Sequence, residues 1–314
     1  MINPTPNCRK SMMLQSELKL FVEQNPRLVT MKESASYPGL FVLKYARRVF
    51  YDNLWTDELE NFRGTIVDAD FNIVSRPFQK IYNWGVEANA PQLPGNTPVT
   101  AYRKVNGFMA AVVMHQGQLL VSTTGSTDSE HVRMAKHMML THQSWDKWHS
   151  ALLSNEGWTF MFECVHPDDP HIVAEQPGMY FLGWRENTWT SVIDGYSDSA
   201  LWHAFARDML NCGMAQSHTT TVDQLVAQAR LVQHEGYVAY TEDGTAFKIK
   251  SPYYLTLKWM ARNPRTDKLL TPAFRKQIDE EYYDLLDHLR DNIVHYTALS
   301  EQDRLSYVRL FLTK

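Results

Sequence analysis

The chain has 314 residues, with 31 lysines and arginines against 35 aspartates and glutamates, and its formal net charge is −4. At about 150 residues per domain this length predicts two domains, and 44% hydrophobic with 21% charged residues excludes a disordered chain. The three scattered cysteines, Cys8, Cys164 and Cys212, exclude a disulfide framework and a zinc knuckle and favour a reducing compartment.

Neither a membrane span nor an export signal is expected. The longest apolar run, Phe108–Met114, is far shorter than the roughly 18–20 residues that cross a bilayer. Pro4 and Pro6 stand where an export signal needs an apolar stretch, so we expect a cytoplasmic protein. The acidic balance argues against broad, non-specific affinity for nucleic acid but leaves room for a local basic cleft.

The chain is expected to open with a helix and continue with short strands. Ser11 is a suitable N-cap, and Leu14, Leu18, Phe21 and Val22 fall on one helical face. From about Gly39 to Ser126 the pattern is β-rich. It predicts hairpin arms at Thr65–Ala69 with Asn72–Phe78, and at Phe108–Met114 with Gln118–Thr123.

The central part predicts alternating helices and strands. Helices are expected from near Asp128 (carrying Val132, Ala135 and Met139), at Ser144–Leu153, near Ser199–Asn211 and at Val222–Leu231. Strands are expected at Thr159–Val165 and Met179–Glu186, and a last hairpin at Gly236–Thr241 with Thr245–Lys250 around an Asp-Gly turn.

Beyond Pro252 the pattern is helical to the end of the chain. Leu285, Leu286, Leu289 and Ile293 repeat at three and four residues, and Leu305, Val308, Leu310 and Leu312 form a second, less regular stripe. We therefore predict a mixed α+β domain over residues 1–251 and a helical module over 252–314.

Several stretches place charged residues at strand ends, and each has a plain structural alternative. Lys104-Val105-Asn106-Gly107 could present a nucleophilic lysine, or it could form a surface turn. Glu163 interrupts an apolar strand, which favours a paired or ligand-binding carboxylate unless the strand turns it to solvent.

Three further stretches show the same ambiguity. Glu235-Gly236 enters a strand, and Lys248 and Lys250 share one strand face, which could equally be a solvated one. Upstream, Arg63-Gly64 and the run from Ser75 to Asn83 mix cations with aromatic side chains, as phosphate clamps and ordinary surfaces both do.

The order and spacing of these stretches resemble the nucleotidyltransferase motifs of ATP-dependent polynucleotide ligases and capping enzymes. The resemblance is closest to RNA ligases of the phage RNA ligase 1 type. It covers roughly residues 39–257. It is carried by Lys104–Gly107, Phe162–Val165, Tyr180–Asn187, Glu235–Ala239 and Phe247–Tyr253, with Arg63-Gly64, Arg76-Pro77, Lys80, Tyr82-Asn83, Gly125-Ser126 and Ser129-Glu130.

The resemblance implies an α+β fold, with an antiparallel-sheet, ATP-grasp-like nucleotidyltransferase domain followed by a small all-helical C-terminal module. It also implies site residues. Lys104 would be the nucleophile that carries AMP, with Lys248 and Lys250 as catalytic cations. Nucleotide contacts would come from Arg63, Lys80, Asn106, Gly107, Glu163, Phe181, Leu182, Glu235, Gly236, Lys248 and Lys250, and metal contacts from Glu163 and Glu235. Tyr82 would stack or hydrogen-bond on the upstream side.

The implied activity is ATP-dependent joining of RNA 5′-phosphate and 3′-hydroxyl ends, with Mg²⁺ or alternatively Mn²⁺. Nicked tRNA is the substrate that the resemblance suggests, in the host cytoplasm if the protein is phage-encoded. The short helical module could help to choose the RNA, or it could simply cover apolar surface. The alternatives are a DNA ligase, an mRNA guanylyltransferase, or an inactive protein that binds RNA ends.

Two positions depart from the family pattern. Asn106 stands where the family usually has aspartate, and Thr124 stands where it tends to have lysine. Loss of a carboxylate beside Lys104 would lower the pKa of that amine and let it react at lower pH. Alternatively, Asn106 only preserves a hydrogen bond to the nucleotide.

Overall fold

The computed structural model describes residues 15–189, 194–196, 204–262, 268–269, 271–276 and 282–312. The chain forms two compact units, each assembled from several segments. The first unit draws on Met1–Lys80, Gly107–His166 and Gln176–Ala215, and the second on Ile81–Asn106, Pro167–Glu175 and Gln216–Lys314.

The strands of the described residues are β1 (Val29–Glu33), β2 (Leu40–Tyr45), β3 (Arg63–Asp68), β4 (Ile73–Ser75), β5 (Tyr82–Asn83), β6 (Pro98–Arg103), β7 (Phe108–His115), β8 (Gln118–Thr123), β9 (Trp158–Val165), β10 (Gly178–Glu186), β11 (Asp194–Tyr196), β12 (Gly213–Met214), β13 (Ser217–Thr221), β14 (Gly236–Tyr240) and β15 (Ala246–Lys250). All strand pairs are antiparallel except β10 with β12 and β5 with β15.

The helices of the described residues are α1 (Gln15–Gln24), α2 (Arg47–Tyr51), α3 (Asp57–Asn61), α4 (Glu130–His142), α5 (Trp145–Leu153), α6 (Val222–Leu231), α7 (Pro252–Arg262), α8 (Pro272–Arg275), α9 (Tyr283–Asp291), α10 (Ile293–Ala298) and α11 (Glu301–Leu312), with a π-helix at Phe205–Met209. In the part of the chain that the structure describes, none of these helices has the length and apolar character of a bilayer span.

The first unit contains a four-stranded sheet, in the order β1-β2-β3-β4, and a six-stranded sheet built on the order β11-β10-β9-β7-β8. Strand β7 explains why the two sheets pack together. Ala110, Val112 and Met114 of this strand are buried with α4 and α5, whereas Val113 faces Val42 and Ile66 of the smaller sheet's core. The unbroken apolar run Phe108–Met114 is therefore a strand that is buried on both faces.

The second unit contains a five-stranded sheet in the order β13-β6-β14-β15-β5, covered on one face by α6. Thr221 caps α6 through a reciprocal capping box with Gln224. The β14–β15 hairpin turns at Gly244, whose φ of +81° suits glycine at an Asp-Gly turn. This hairpin and β6 set the positions of several candidate site residues.

The C-terminal helices α7–α11 belong to the second unit and share one apolar core. This core includes Ile172, Tyr254, Leu257, Met260, Leu269, Phe274, Tyr282, Leu285, Leu286, Leu289, Tyr296, Leu305 and Val308. Arg309 of α11 donates to the backbone carbonyl oxygens of His171 and Ile172. Of the second predicted stripe, Leu305 and Val308 are buried but Leu310 is 62% exposed.

The α+β class with C-terminal helices is confirmed. The β3–β4, β7–β8 and β14–β15 hairpins and helix α6 also lie where the sequence predicts them. The expected second arm at Asn72–Phe78 ends early, at Ser75, because the Arg76 N–H donates to the Thr159 side chain at 2.7 Å instead of continuing the ladder. Residues 199–203 of the helix expected near Ser199–Asn211, and Ser11 and Leu14 of the opening helix, lie outside the described residues.

The sequence missed α2, α3 and β13, which are too short or too polar to show a period. The boundary predicted between residues 251 and 252 stays a prediction. The structural units divide the chain differently, because α7–α11 belong to the same unit as β6, β14 and β15.

Deleting residues 263–314 tests whether the C-terminal helices are a separable module. The deletion removes Leu285, Leu289, Leu305 and Val308, which bury Leu257 of α7. We expect a lower melting temperature, measured by circular dichroism, and Leu305→Ala alone should cost about 3 kcal/mol of unfolding free energy. The exposed Leu310→Ala is the matched control, and an unchanged melting temperature of the truncated protein would establish a separately folding module.

Candidate active site

Lys104, Glu235 and Lys250 lie at one edge of the second unit's sheet. Lys104 follows the last residue of β6, Glu235 precedes the first residue of β14, and Lys250 ends β15. Because these three neighbouring strands alternate in direction, their corresponding ends meet at the same edge. The Lys104 N–H donates to the Gly236 carbonyl oxygen at 2.8 Å, which fixes the backbone of the lysine to β14.

The Glu235 carboxylate forms an ion pair with each of the two lysines. One of its oxygens lies 3.0 Å from Lys104 Nζ and the other 3.0 Å from Lys250 Nζ. The Glu235 side chain is only 3% exposed, so burial acts to raise the pKa of its carboxyl group. The ammonium groups of Lys104 and then Lys250 more than offset burial and lower this pKa below its ordinary value, so the carboxylate is ionised near neutral pH.

Asn106 uses both ends of its side-chain amide. Its Nδ2 donates to Glu235 Oε2 at 2.8 Å, and its Oδ1 accepts a hydrogen bond from the Val173 N–H at 2.9 Å. The Asn106 N–H donates to Glu175 Oε1 at 3.3 Å, and both oxygens of Glu175 accept from Arg103 Nη2. An amide suits this position because one atom must donate to a carboxylate while the other accepts from the backbone.

Tyr254 of α7 lies against the lysines. Lys250 Nζ is 4.6 Å from the centre of the Tyr254 ring, and Lys258 Nζ is 5.8 Å from the same centre. Burial, followed by the Glu235 carboxylate, raises the pKa of the Tyr254 hydroxyl to about 12. The tyrosine is therefore a neutral side chain that two ammonium groups approach.

Gly236 is required by its backbone conformation and by its neighbours. Its φ is +129°, and a Cβ there would overlap the carbonyl group of Ile249 on the paired strand. A side chain would push β15, and with it Lys250, away from Glu235. Gly236 is therefore required for the ion pair between Glu235 and Lys250.

In the first unit, Glu163 accepts a hydrogen bond from the backbone of Gly107, the last residue of the Lys104–Gly107 motif. The Gly107 N–H donates to Glu163 Oε1 at 3.1 Å, and Glu163 is 8% exposed. A Cβ at Gly107 would overlap the carbonyl group of Cys164, so the close approach of β7 to β9 needs glycine. Burial with a hydrogen bond favours the ligand-binding interpretation of Glu163 over the solvent-facing one.

The upstream cations of the first unit are positioned by a buried arginine that the sequence analysis overlooked. Arg185 of β10 is fully buried and donates to the Pro77 carbonyl oxygen at 2.8 Å and to Asn61 Oδ1 at 3.2 Å. These bonds hold the segment before Lys80, whose ammonium lies 5.0 Å from the centre of the Trp55 ring. Arg63 donates to the Gln79 carbonyl oxygen at 3.4 Å in the same region.

The adenine contact expected from Phe181 is not supported. The Phe181 side chain has no exposed surface and packs on Phe160 and Phe162 in the core beneath α4 and α5. Leu182, the next residue along β10, is half-buried and lies at an irregularity of the β9–β10 pairing. Leu182 thus stays a candidate for the contact, while Phe181 has no surface with which to make it.

Position 124 lacks the lysine that the family tends to have there, but another lysine lies close to this loop. An ideal Cβ on Gly125 would lie 3.0 Å from Lys44 Nζ, so β2 brings an ammonium group to the Gly125-Ser126 pair of the first unit. Lys44 is also the cross-strand partner of Arg63. A lysine is therefore present beside this pair although position 124 itself carries none.

The expected metal site fits only in part. Glu235 does not fit as a direct metal ligand, because two ammonium groups and one amide occupy its oxygens. Among the described residues no three side chains of histidine, cysteine, aspartate or glutamate converge on one point. Glu163 could supply a single carboxylate, which suffices where a phosphate-bound Mg²⁺ keeps most of its waters.

The structure brings together Lys104, Asn106, Glu235, Gly236 and Lys250 in the second unit, and Lys248 lies two residues before Lys250 on the same strand. Tyr82 and Asn83 form β5, which pairs with β15 beside Lys248. The first unit holds Arg63, Lys80, Gly107, Glu163 and Leu182. Sequence analysis missed Tyr254 and Lys258 as site residues, although they are four residues apart and so share one face of the helix that begins two residues after Lys250.

Comparison with known proteins identifies the class of this protein. A family model described as RNA ligase matches residues 61–254, which include every site residue named in the preceding paragraph except Lys258. The chain belongs to this RNA ligase family.

Two curated relatives resemble the chain. RNA ligase 1 of Bacteriophage TS2126 is 27% identical over 136 residues, which cover 39% of this chain and 33% of the relative. A protein of Autographa californica nuclear polyhedrosis virus, provisionally named a bifunctional polynucleotide kinase/RNA ligase, is 24% identical over 260 residues, 74% of this chain and 36% of the relative. The chain spans about a third of the length of these relatives.

Two solved structures share the fold. An archaeal ATP-dependent RNA ligase superimposes with a TM-score of 0.54 at 13% identity, covering 95% of this chain and 77% of that one. A protein from Aquifex aeolicus, provisionally titled an ATP-dependent DNA ligase, gives a TM-score of 0.54 at 15% identity, covering 93% and 76%. These likenesses confirm the expected ligase-type fold.

Asn106→Asp tests the arrangement around Glu235. The change would set two carboxylates side by side in place of an amide that donates at 2.8 Å. Mutual repulsion raises the pKa of such a pair, so the folded state should lose about 2–4 kcal/mol at neutral pH, and less once the pair holds a shared proton near pH 4–5. Urea unfolding at both pH values measures the difference.

The double variant Asn106→Asp/Glu235→Gln is the matched control for this experiment. It again pairs one amide with one carboxylate, so much of the lost unfolding free energy should return at neutral pH. An equal loss at both pH values would contradict the repulsion and assign Asn106 a purely steric role.

Proposed function

We propose that this protein is an ATP-dependent RNA ligase that joins a 5′-phosphate to a 3′-hydroxyl end through a lysyl-AMP intermediate. The observation that carries the proposal is the position of Lys104, held 3.0 Å from a buried carboxylate that also binds Lys250. Membership of the RNA ligase family supports it. In the first step the lone pair of Lys104 Nζ attacks the α-phosphorus of ATP, the bond to the β-phosphate oxygen breaks, and pyrophosphate leaves.

Lys104 must lose a proton before it can attack. Glu235 alone would hold the ammonium form, because a nearby carboxylate favours a charged amine. Lys250 binds the opposite oxygen of Glu235, where it neutralises the carboxylate and adds positive charge near Lys104. Both effects favour the neutral amine, and the same cations would stabilise the negative charge that develops on the phosphate oxygens.

Two further transfers complete the proposed reaction. AMP passes from Lys104 to the RNA 5′-phosphate, and a 3′-hydroxyl then displaces AMP to form the phosphodiester. Arg63 and Lys80 are proposed to contact phosphates, and Leu182 is proposed to contact adenine. Glu163 is proposed to contact the ribose or a metal ion that accompanies ATP. Magnesium would supply charge neutralisation at the phosphates, and the roles proposed for the chain's residues do not depend on it.

The natural RNA is proposed from resemblance alone, as a break in a tRNA of the kind that phage ligases repair. Within the residues that the structure describes, the site supplies phosphate and nucleotide contacts but no feature that reads a particular RNA. We propose action in the cytoplasm, including a host's cytoplasm if the protein is phage-encoded.

Lys104→Arg tests the nucleophile. Arginine keeps the positive charge but does not deprotonate near neutral pH, so covalent labelling of the protein by α-labelled ATP should disappear. Gel electrophoresis after incubation measures the label, and Lys268→Arg, at an exposed lysine of the same unit, is the matched control. Labelling of Lys104→Arg would refute the assignment, and labelling of the wild type by GTP but not ATP would indicate a guanylyltransferase.

Pre-adenylylated RNA separates the first transfer from the last. Lys248→Ala and Glu235→Gln should reduce AMP transfer from ATP by about tenfold or more, since the first removes a cation beside the phosphates and the second removes the carboxylate that positions Lys104 and Lys250. Thr124→Ala should spare that step and act on sealing of pre-adenylylated RNA, if its loop faces the RNA. A Lys248→Ala protein that is fully active on both substrates would refute the role of β15.

A further inference from the structure

Lys258 of α7 lies beside the lysine cluster, and neither the motifs nor the proposed reaction uses it. Tyr254 and Lys258 are four residues apart, so they project from the same face of the helix. The ring of Tyr254 links Lys258 to Lys250, since both ammonium groups lie within 6 Å of its centre, at 5.8 and 4.6 Å. Helix α7 thus presents an additional cation to the site.

The charge on Lys258 is poorly compensated. Lys104 and Lys250 share Glu235, and Arg262 pairs with Glu301 at 2.8 Å. Among the described residues, no hydrogen bond or ion pair reaches Lys258 Nζ. Lys104, Lys250, Lys258 and Arg262 therefore share the two carboxylates of Glu235 and Glu301, and the neighbouring Arg103–Glu175 pair adds no net charge.

The partial burial of Lys258 also indicates that its charge is poorly compensated. Lys258 is half-buried, and burial, followed by repulsion from Lys250 and Arg262, lowers the pKa of its ammonium group. Methionine fills the same space without these costs, so packing alone gives no reason for a lysine at this position. A partly desolvated cation among other cations is stabilised when an anion binds between them.

We propose that Lys258 binds a phosphate group next to the phosphorus that Lys104 attacks. This inference rests on the proposed function. The phosphate has two possible sources, the outer phosphates of ATP in the first transfer or the 5′-phosphate of RNA in the later ones. Both sources carry at least one full negative charge per phosphate and suit a lysine that acts as a point charge.

Lys258→Met and Lys258→Arg test the proposal in two arms. The first arm measures kcat and KM for protein adenylylation against ATP concentration, and inhibition by pyrophosphate. The second arm measures sealing of pre-adenylylated RNA. Lys258→Met should lose about tenfold or more in one arm, by weaker phosphate binding, and Lys258→Arg should retain most of the activity.

The affected arm identifies the phosphate. A raised KM for ATP with weaker pyrophosphate inhibition assigns the outer phosphates of ATP, and loss confined to sealing assigns the RNA 5′-phosphate. Lys268→Met, at an exposed lysine of the same unit, controls for loss of a surface charge. Activity equal to wild type in both arms, or equal losses in Lys258→Met and Lys258→Arg, would overturn the proposal.

Stability distinguishes a binding role from a structural one. Without ligand, Lys258→Met should melt at or above the wild-type temperature, because it removes a half-buried charge that Lys250 and Arg262 repel. A fall in melting temperature that parallels the loss of activity would make Lys258 a structural residue and overturn the inference. The absence of AMP labelling in the wild type would instead refute the proposed function itself.

Discussion

The second unit depends on one buried carboxylate that two lysines share. Glu235 accepts an ammonium group on each oxygen and an amide on one of them, and it does so at the junction of three strand ends. A buried ion pair is costly unless further hydrogen bonds satisfy its oxygens, and here three donors contact the two oxygens of Glu235. The result is a lysine whose amine is fixed in place between the Glu235 carboxylate and a second ammonium group on the same carboxylate.

Close packing and hydrogen bonds between neighbouring segments fix the backbone around Glu235. Gly236 admits β15 at a distance that a side chain would forbid, and its carbonyl oxygen holds the Lys104 N–H. Asn106 ties the same segment to Val173, and Arg103 reinforces that tie through Glu175. Reacting groups that are positioned before substrate arrives avoid the cost of ordering them later, which is the benefit expected of such a network.

Local sequence patterns predicted the hairpins and most helices, because hydrophobic periodicity and turn-forming residues can be recognised within short stretches of sequence. The Glu242-Asp243-Gly244 turn and the alternation on either side of it specify β14 and β15 without reference to the rest of the chain. The partner of Lys104 is different, since Glu235 lies 131 residues away. Only the ordered motifs, taken together, indicated that these residues would meet.

Burial and hydrogen-bond direction show what the sequence could not indicate about Phe181 and Asn106. The sequence placed Phe181 and Leu182 together at the nucleotide, but the core takes Phe181, while Leu182 lies half-buried at an irregularity of the β9–β10 pairing. Asn106 was interpreted as a lost charge or as a nucleotide contact. Its role as a bridge between Glu235 and Val173 needed coordinates, because Val173 lies 67 residues away in a loop with no signal of its own.

Helix α7 joins the site to the C-terminal helices. Tyr254 and Lys258 face the lysines, while Leu257, Met260 and Ala261 enter the core built by α9 and α11. The α11 residue Arg309 is hydrogen-bonded to the carbonyl oxygens of His171 and Ile172, next to the loop residue that binds Asn106. The apolar packing of the C-terminal helices is therefore coupled to the position of the charged site through α7 and the loop that contains Val173. A domain boundary after residue 251 would place the lysine cluster and the helix that packs against it in different domains.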